Sequence, residues 1–309
     1  MNFTRRDDVE EALAKNLVIV TLVVIINCVN AMLVFTYFRN SAFHCDTRYI
    51  LYIHLVINDM IMLSMSATLF VLTYVNPIYN VSVCCLMIVI AATTHKNTPL
   101  ILACMAIERY IAICKPLHHA QICTVPRTYA LIGIIWGVGV APTLADVIAL
   151  LIERPAGFFY TNIFCYNENL FTSTYYREKL KVVPPIYLSF VWLILIFTYI
   201  RIVMVAKKAK GDSSAKKAHN TVLLHGIQLL LCMMSYVSRL LNMILVPFFP
   251  EHRSKISFFT YLITSIVPRL LSTLIYGLRD QAFSKRMSVY FSCKVTIVKV
   301  KPDMKGSHD

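Results

Sequence analysis

The amino-acid sequence predicts an all-α membrane protein: a seven-transmembrane helix bundle with a short amphipathic eighth helix and with the N-terminus outside. Of its 309 residues, 58% are hydrophobic and 15% are charged, and the mean hydropathy is +0.64. A soluble domain of ordinary composition carries about 25% charged residues. Apolar runs such as 16–38 and 183–200 approach the roughly 20 residues that a helix needs to cross a bilayer. The lipid bilayer is therefore the first predicted partner.

Seven apolar runs are predicted to span the bilayer, and all must be helical because lipid offers the backbone no other hydrogen-bond partner. The predicted spans are 14–38, 48–74, 82–115, 127–151, 182–208, 217–247 and 256–277. Pro99, Pro142 and Pro268 fall inside spans and are expected to kink them. Basic and apolar residues then alternate over 279–291, which predicts a helix on the membrane surface. Residues 1–309 are thus predicted to form one membrane domain.

The distribution of Lys and Arg predicts the orientation of these spans. With the amino terminus outside, the inner loops and tail hold roughly twice as many of these residues as the outer segments, as the positive-inside rule requires. The net charge of +14 is then a feature of membrane topology, and nucleic-acid binding is not predicted. The first apolar run is too long for a cleavable signal and is interpreted as a signal anchor. Asn2 and Asn80 begin glycosylation triplets in predicted outer segments.

A charged triplet, Glu108–Arg109–Tyr110, ends the third predicted span and is followed by Ile-Ala-Ile-Cys-Lys-Pro-Leu. Ionic side chains at such a place cost free energy and usually have a function. The segment Met105–Leu117 resembles the motif that closes the third helix of odorant receptors, which belong to the rhodopsin-like superfamily of G-protein-coupled receptors.

Other segments resemble the same family in the same order. Asn30 and Asp59 stand where the superfamily has a buried asparagine and aspartate in its first two helices, and Trp136 matches a fourth-helix tryptophan. The remaining matching segments are Thr198–Ile202, Lys216–Ala218 with Thr221 and His225, and Pro268–Asp280. The likeness covers residues 27–280. The ending Leu-Ile-Tyr-Gly-Leu-Arg-Asp and the short outer loop look most like fish odorant receptors.

The resemblance implies a receptor that binds a small-molecule odorant from outside and activates a heterotrimeric G protein. It implies a multi-pass protein of the plasma membrane, in the cilia of olfactory sensory neurons, without a cofactor. In this family the acidic neighbour, here Glu108, holds Arg109 at rest and releases it on activation. Tyr199 and Tyr276 are the residues expected to receive Arg109 afterwards.

The resemblance also implies a disulfide between Cys84 and Cys165, which would hold the largest predicted connection, about 152–181, over the outer mouth of the bundle. Cys85 is adjacent to Cys84 and is the alternative partner. The chain departs from the superfamily elsewhere. Ser272 and Thr273 replace an asparagine and a proline, and the neighbourhood of Cys232–Met234 replaces an aromatic side chain in the sixth helix. These departures favour a different packing switch during activation.

Charged residues within the spans are the next candidates for function. Asp59 and Arg269 lie at similar depths, about 16 Å and 13 Å from the inner side at 1.5 Å per residue. We therefore predict that they pair, with Ser272 and Asn30 in the same buried polar network. Arg269 would then occupy the place where the superfamily binds sodium, so sodium modulation is not expected. The alternative is that Arg269 donates hydrogen bonds to carbonyl groups of other helices.

A ligand site is predicted in the outer half of the bundle, where family pockets lie between helices three, five, six and seven. Two cations there, Lys96 and Arg239, favour an anionic, water-soluble ligand. The alternative is that they extend to water or pair with Asp146 or Glu168. The predicted ligand-binding residues are Thr94, His95, Lys96, Tyr187, Tyr236 and Arg239.

Other functions receive less support from the sequence. It lacks a glycine-rich phosphate loop, a His and Cys pattern with zinc spacing and the GxSxG motif, so neither an enzyme nor a metal site is predicted. His118 and His119 are expected to meet lipid headgroups or a G protein. A transporter or channel would show repeated, broken helices with ionic groups at the midplane. A rhodopsin-like receptor outside olfaction is the alternative within the class.

Overall fold

The computed structural model describes residues 9–75, 78–208, 227, 230, 245–271, 283 and 285–287. Within these residues, five helices are long and apolar enough to cross a membrane. They are α1 (Val9–Arg39), α2 (Thr47–Val75), α3 (Val81–Cys114), α5 (Val125–Glu153) and α7 (Thr174–Lys208). Shorter helices in the described part of the chain include α4 (Pro116–Ile122), α6 (Asn167–Leu170) and α8 (Arg253–Tyr261).

The five long helices coincide with the first five predicted spans. The seventh predicted span begins within α8 and continues through a π-helical turn at Leu262–Ile266 into helical residues 267–271. Most of the sixth predicted span, the rest of the seventh and most of the predicted surface helix lie outside the described residues. The α-helices α3 and α5 run without interruption through Pro99 and Pro142.

One predicted boundary is wrong. The fifth span was expected to begin near residue 182, whereas α7 begins at Thr174. The backbone N–H of Tyr176 donates to Ser173 Oγ at 3.1 Å, which caps the first turn of the helix. The extra turns carry Lys179, whose side chain lies mostly buried against α5. Packing between helices therefore extends α7 beyond its apolar run.

The interior of the bundle is apolar with a polar centre. Its largest apolar cluster joins α2 and α3 with parts of α1, α5 and α7, and includes Leu55, Leu102 and Val191. Polar side chains are nevertheless buried between the helices, while many large apolar side chains face outward. Apolar side chains on the outer surface are what lipid surroundings favour, and polar groups are buried because hydrocarbon offers them no hydrogen-bond partner.

One end of the bundle, here called the disulfide end, is closed by a short hairpin. Strands β1 (Ile78–Asn80) and β2 (Asn162–Phe164) pair in antiparallel fashion, with Tyr79 opposite Ile163. Cys84 and Cys165 form a disulfide with an S–S distance of 2.07 Å. The predicted pairing is confirmed, and the alternative partner Cys85 is a buried free thiol.

Candidate functional site: the ends and the centre of the bundle

The opposite end, here called the triplet end, carries the Glu108–Arg109 pair in the last turns of α3. Arg109 Nε lies 3.5 Å from Glu108 Oε2. The Glu108 side chain is 8% exposed and the Arg109 side chain 20% exposed. The carboxylate is thus enclosed by protein, whereas the guanidinium keeps some access to solvent.

A second basic side chain contacts the same carboxylate. His119 Nε2 lies 3.0 Å from Glu108 Oε1, and its side chain is 30% exposed. From the sequence, His119 was expected to meet lipid headgroups or a G protein, and its contact with Glu108 was not predicted. The chain turns back at Lys115, between Glu108 and His119, so the contact could not be predicted from residue spacing along a single helix.

The other residues predicted to take part in activation of a G protein are Tyr110, Tyr199 and Tyr276. The ring of Tyr110 packs against Phe197 of α7, with 5.7 Å between ring centroids. Tyr199, also on α7, is 42% exposed. Tyr276 lies outside the described residues. The structure thus connects the triplet to α7 through Tyr110.

The centre of the bundle contains the predicted pair of opposite charges. Arg269 Nε lies 3.6 Å from Asp59 Oδ1, and the two side chains are 2% and 7% exposed, respectively. Thr98 Oγ1 donates to the same Asp59 oxygen at 3.0 Å. Asn58 Nδ2 donates to Thr98 Oγ1 at 3.0 Å, so a hydrogen-bond chain joins α2 to α3 around the carboxylate.

The alternative for Arg269 was a set of hydrogen bonds to carbonyl groups. A guanidinium N–H of Arg269 also approaches Met62 Sδ at 3.8 Å, which is a weak contact. Asn30, expected in the same network, is buried in α1. Ser272 lies outside the described residues. The predicted ion pair with Asp59 is therefore present among the described residues.

Of the predicted ligand-binding residues, Thr94 lies in the packed interior. Its hydroxyl donates to the carbonyl groups of Ile90 and Ala91 at 2.9 and 3.1 Å. Its own carbonyl accepts from Asn58 Nδ2 at 2.9 Å. Thr94 is therefore placed as part of the seam between α2 and α3.

Lys96 and Tyr187 are brought together near the middle of α3. Lys96 Nζ donates to Thr143 Oγ1 of α5 at 2.8 Å, and the Tyr187 hydroxyl donates to the Lys96 carbonyl. His95 is half-buried beside them. Tyr236 and Arg239, the other predicted members of this site, lie outside the described residues.

Asp146 and Lys179 form a mostly buried ion pair between α5 and α7 that the sequence analysis missed. Lys179 Nζ also donates to the Pro142 carbonyl at 2.7 Å. Asp146 had been considered as a partner for Lys96, and the structure places Lys179 against it. Lys179 was not considered because residues before 182 were expected to form a loop.

The glycosylation triplet at Asn80 lies at the start of α3. Asn80 Oδ1 accepts from the Ser82 backbone N–H at 3.0 Å, which caps the helix. Ser82 Oγ donates to the Phe159 carbonyl at 2.9 Å. Asn2 lies outside the described residues.

A helical membrane bundle with a disulfide at one end and an acid–arginine pair at the other defines a class of receptor. Residues 29–274 match the family model described as 7 transmembrane receptor (rhodopsin family), and the chain belongs to that family.

The relatives of the chain are odorant and olfactory receptors. It is 31% identical to Odorant receptor 131-2 of Danio rerio over 287 residues, which cover 92% of this chain and 88% of the relative. It is 25% identical to Olfactory receptor 4F5 of Homo sapiens over 264 residues, or 82% of each chain. It is 25% identical to Olfactory receptor 4K1 of Homo sapiens over 193 residues, or 59% of this chain and 58% of the relative. The predicted resemblance to odorant receptors is confirmed.

Proposed function

We propose that this protein is an odorant receptor of the plasma membrane, which binds a small molecule at the disulfide end and activates a heterotrimeric G protein at the triplet end. The observation that carries the proposal is the Glu108–Arg109 pair, 3.5 Å apart at the end of α3. Its relatives, which share most of its length, are named as odorant or olfactory receptors.

The proposed mechanism is a shift between two states of the bundle. In the resting state Arg109 stays with Glu108; in the active state it leaves Glu108 and is received by Tyr199 and Tyr276. A ligand favours the active state only to the extent that it binds that state more tightly. The partial exposure of Arg109 supports this role, since a guanidinium already in contact with solvent loses little hydration when it moves.

A cyclic-nucleotide reporter assay against water-soluble odorants tests the proposal. Arg109→Ala is expected to abolish the ligand response while surface expression stays within about twofold, because the pair is partly solvated. Arg201→Ala, which removes an exposed arginine from the same end, serves as the matched control. Full signalling from Arg109→Ala would end this mechanism. A ligand-evoked current without G protein would instead favour a channel.

We further propose that the ligand is anionic and that Lys96 binds it together with Arg239. Lys96 lies about 20 Å along α3 from the disulfide end at 1.5 Å per residue. A lysine ammonium at this depth favours a carboxylate or another anion, since little water is present to solvate it. Lys96 Nζ donates to the Thr143 hydroxyl at 2.8 Å, and this contact supports the assignment because it fixes the position of the ammonium inside the bundle.

Pairs of carboxylic acids and their methyl esters test the ligand class. Each acid is expected to be at least tenfold more potent than its ester, and Lys96→Gln is expected to remove the difference. Lys181→Gln is the control, because Lys181 is an exposed lysine near the disulfide end that pairs with Glu178. Equal potency of acids and esters on the unaltered receptor would exclude an anionic ligand.

We also propose that Arg269 takes the place of a sodium ion beside Asp59. The 3.6 Å contact and the burial of both side chains support this assignment, since one positive charge already faces the carboxylate. Replacing sodium by a large organic cation in the medium is expected to leave ligand potency unchanged. A shift of several-fold would show that sodium binds despite the arginine.

The orientation of the chain belongs to the same proposal. An outer amino terminus follows from the distribution of Lys and Arg, and it would expose Asn2 and Asn80 to glycosylation. An amino-terminal epitope tag should be labelled on intact cells. Labelling only after permeabilisation would show that the amino terminus lies inside the cell, and this would exclude the proposed function.

A further inference from the structure

The Glu108 carboxylate has two basic partners, and they contact different oxygens. His119 Nε2 of α4 lies 3.0 Å from Oε1, whereas Arg109 Nε of α3 lies 3.5 Å from Oε2. A carboxylate held at one oxygen can rotate less about its side-chain bonds, so the His119 contact restricts where Oε2 points. The geometry of the Glu108–Arg109 pair therefore depends on a residue from another helix.

The position of His119 is itself determined by local structure. Pro116 occupies the first turn of α4, where a missing N–H costs nothing. The His119 carbonyl accepts from the Cys123 backbone N–H at 2.8 Å at the end of that helix. The preceding residue, His118, is exposed on the same helix. Two adjacent histidines thus differ in their surroundings, which provides a matched control within the chain.

We propose that His119 is a positioning residue for the Glu108–Arg109 pair: it holds Oε1 so that Oε2 faces Arg109, and it thereby favours the resting state. The proposal rests on the proposed function, because it assigns a role within the same switch. Histidine is the side chain whose charge ordinarily changes between pH 5 and pH 8. A protonated His119 donates a charge-assisted hydrogen bond to the carboxylate, which is stronger than a neutral one. Protonation of His119 therefore strengthens the resting state.

The other charged or titratable groups around this contact do not reverse that sign. Burial, followed by the nearby Glu108 carboxylate, raises the pKa of the Cys123 thiol, so Cys123 stays neutral at cytosolic pH. Arg127 of α5 directs its guanidinium to carbonyl groups at the end of α4. Lys115, which precedes α4, is exposed to solvent. Lysine and arginine side chains ordinarily keep their charge between pH 5 and pH 8.

Ligand-independent signalling at matched surface expression tests the role of His119. His119→Ala is expected to raise basal signalling about two- to fivefold, the range that follows from loss of a partly exposed ion pair. His119→Gln retains a side-chain N–H donor but cannot be protonated, so it should restore low basal signalling. Basal signalling of the unaltered receptor and of His118→Gln should fall as the cytosol is acidified from pH 7.5 to pH 6.5. His119→Gln should show no such fall.

An unaltered basal signal in His119→Ala, or the same pH profile in His119→Gln as in His118→Gln, would overturn the proposal. Thermal unfolding of the purified full-length chain separates this outcome from failure of the proposed function. The destabilisations caused by Glu108→Gln and His119→Ala should not add, whereas those of Glu108→Gln and His118→Ala should. Additive effects in both cycles, with signalling intact, would remove the role of His119 alone. If the destabilisations caused by Glu108→Gln and His119→Ala are not additive but the chain never signals, both the proposed function and the positioning role of His119 are wrong.

Discussion

Two ion pairs in this bundle contain the same kinds of side chain but differ in how far solvent reaches them. At the centre, Arg269 and Asp59 are 2% and 7% exposed. At the triplet end, Glu108 is 8% exposed but Arg109 is 20% exposed. Both side chains of the central pair are buried, so separating them would leave each buried charge without its opposite charge. In the terminal pair the Arg109 side chain keeps some contact with solvent, which is the property that the proposed change of partner requires.

The central pair should show the largest effect of mutation. Arg269→Met leaves the Asp59 carboxylate buried without its cation and is expected to cost about 3–5 kcal/mol of stability. Surface expression and thermal unfolding of the detergent-purified protein measure this loss. The double variant Asp59→Asn with Arg269→Met removes both charges and should recover a large part of it. An Arg269→Met variant as stable as the unaltered chain would remove the distinction between the two pairs.

A contact without charges sharpens the comparison, because it shows what close packing alone contributes in the same interior. A Cβ atom added to Gly139 would lie 1.9 Å from Oδ1 of the buried Asn97, whereas at Gly137 it would meet nothing within 4 Å. Gly139→Ala is therefore expected to destabilise the protein by about 1–3 kcal/mol. Gly137→Ala, the matched control, should be neutral or slightly stabilising because alanine favours helix. Equal unfolding temperatures for the two variants would contradict the close approach of α3 and α5.

The terminal pair should have a smaller effect on stability. Arg109→Met is expected to cost about 1 kcal/mol or less, since the guanidinium is partly solvated and His119 still contacts Glu108. The unfolding temperature of Arg109→Met should therefore be clearly higher than that of Arg269→Met. Arg109→Met is expected to give a folded receptor that does not signal. A loss of stability as large as that of Arg269→Met would make the terminal pair structural as well.

The smallest effect expected concerns reactivity. The Glu108 carboxylate contributes to the raised pKa of the Cys123 thiol, after burial. Because the thiolate is the reactive form, Glu108→Gln should lower that pKa and speed alkylation of Cys123 near pH 7.5. Mass spectrometry can follow each site separately, with the exposed Cys45 as the internal reference. No change in the ratio of the two rates would show that the carboxylate does not influence the thiol.

The sequence by itself determined where five helices lie, apart from the start of the fifth, and placed Asp59 and Arg269 at similar depths. Apolar runs near the thickness of a bilayer must be helical, and helical rise converts a residue count into a depth. That arithmetic paired Asp59 with Arg269, which lie 3.6 Å apart in the structure. The disulfide between Cys84 and Cys165 followed from the family resemblance rather than from the arithmetic.

Only the tertiary structure decided the contacts that depend on chain reversal or on the faces of two helices. His119 reaches Glu108 because the chain turns back at Lys115, and local periodicity does not extend across such a turn. Lys179 reaches Asp146 because packing against α5 extends α7 by about two turns past its apolar run. Hydropathy measures the transfer of a segment into lipid, and it carries no information about which polar groups meet once helices pack. That choice depends on the rotation and spacing of neighbouring helices, which the folded bundle alone supplies.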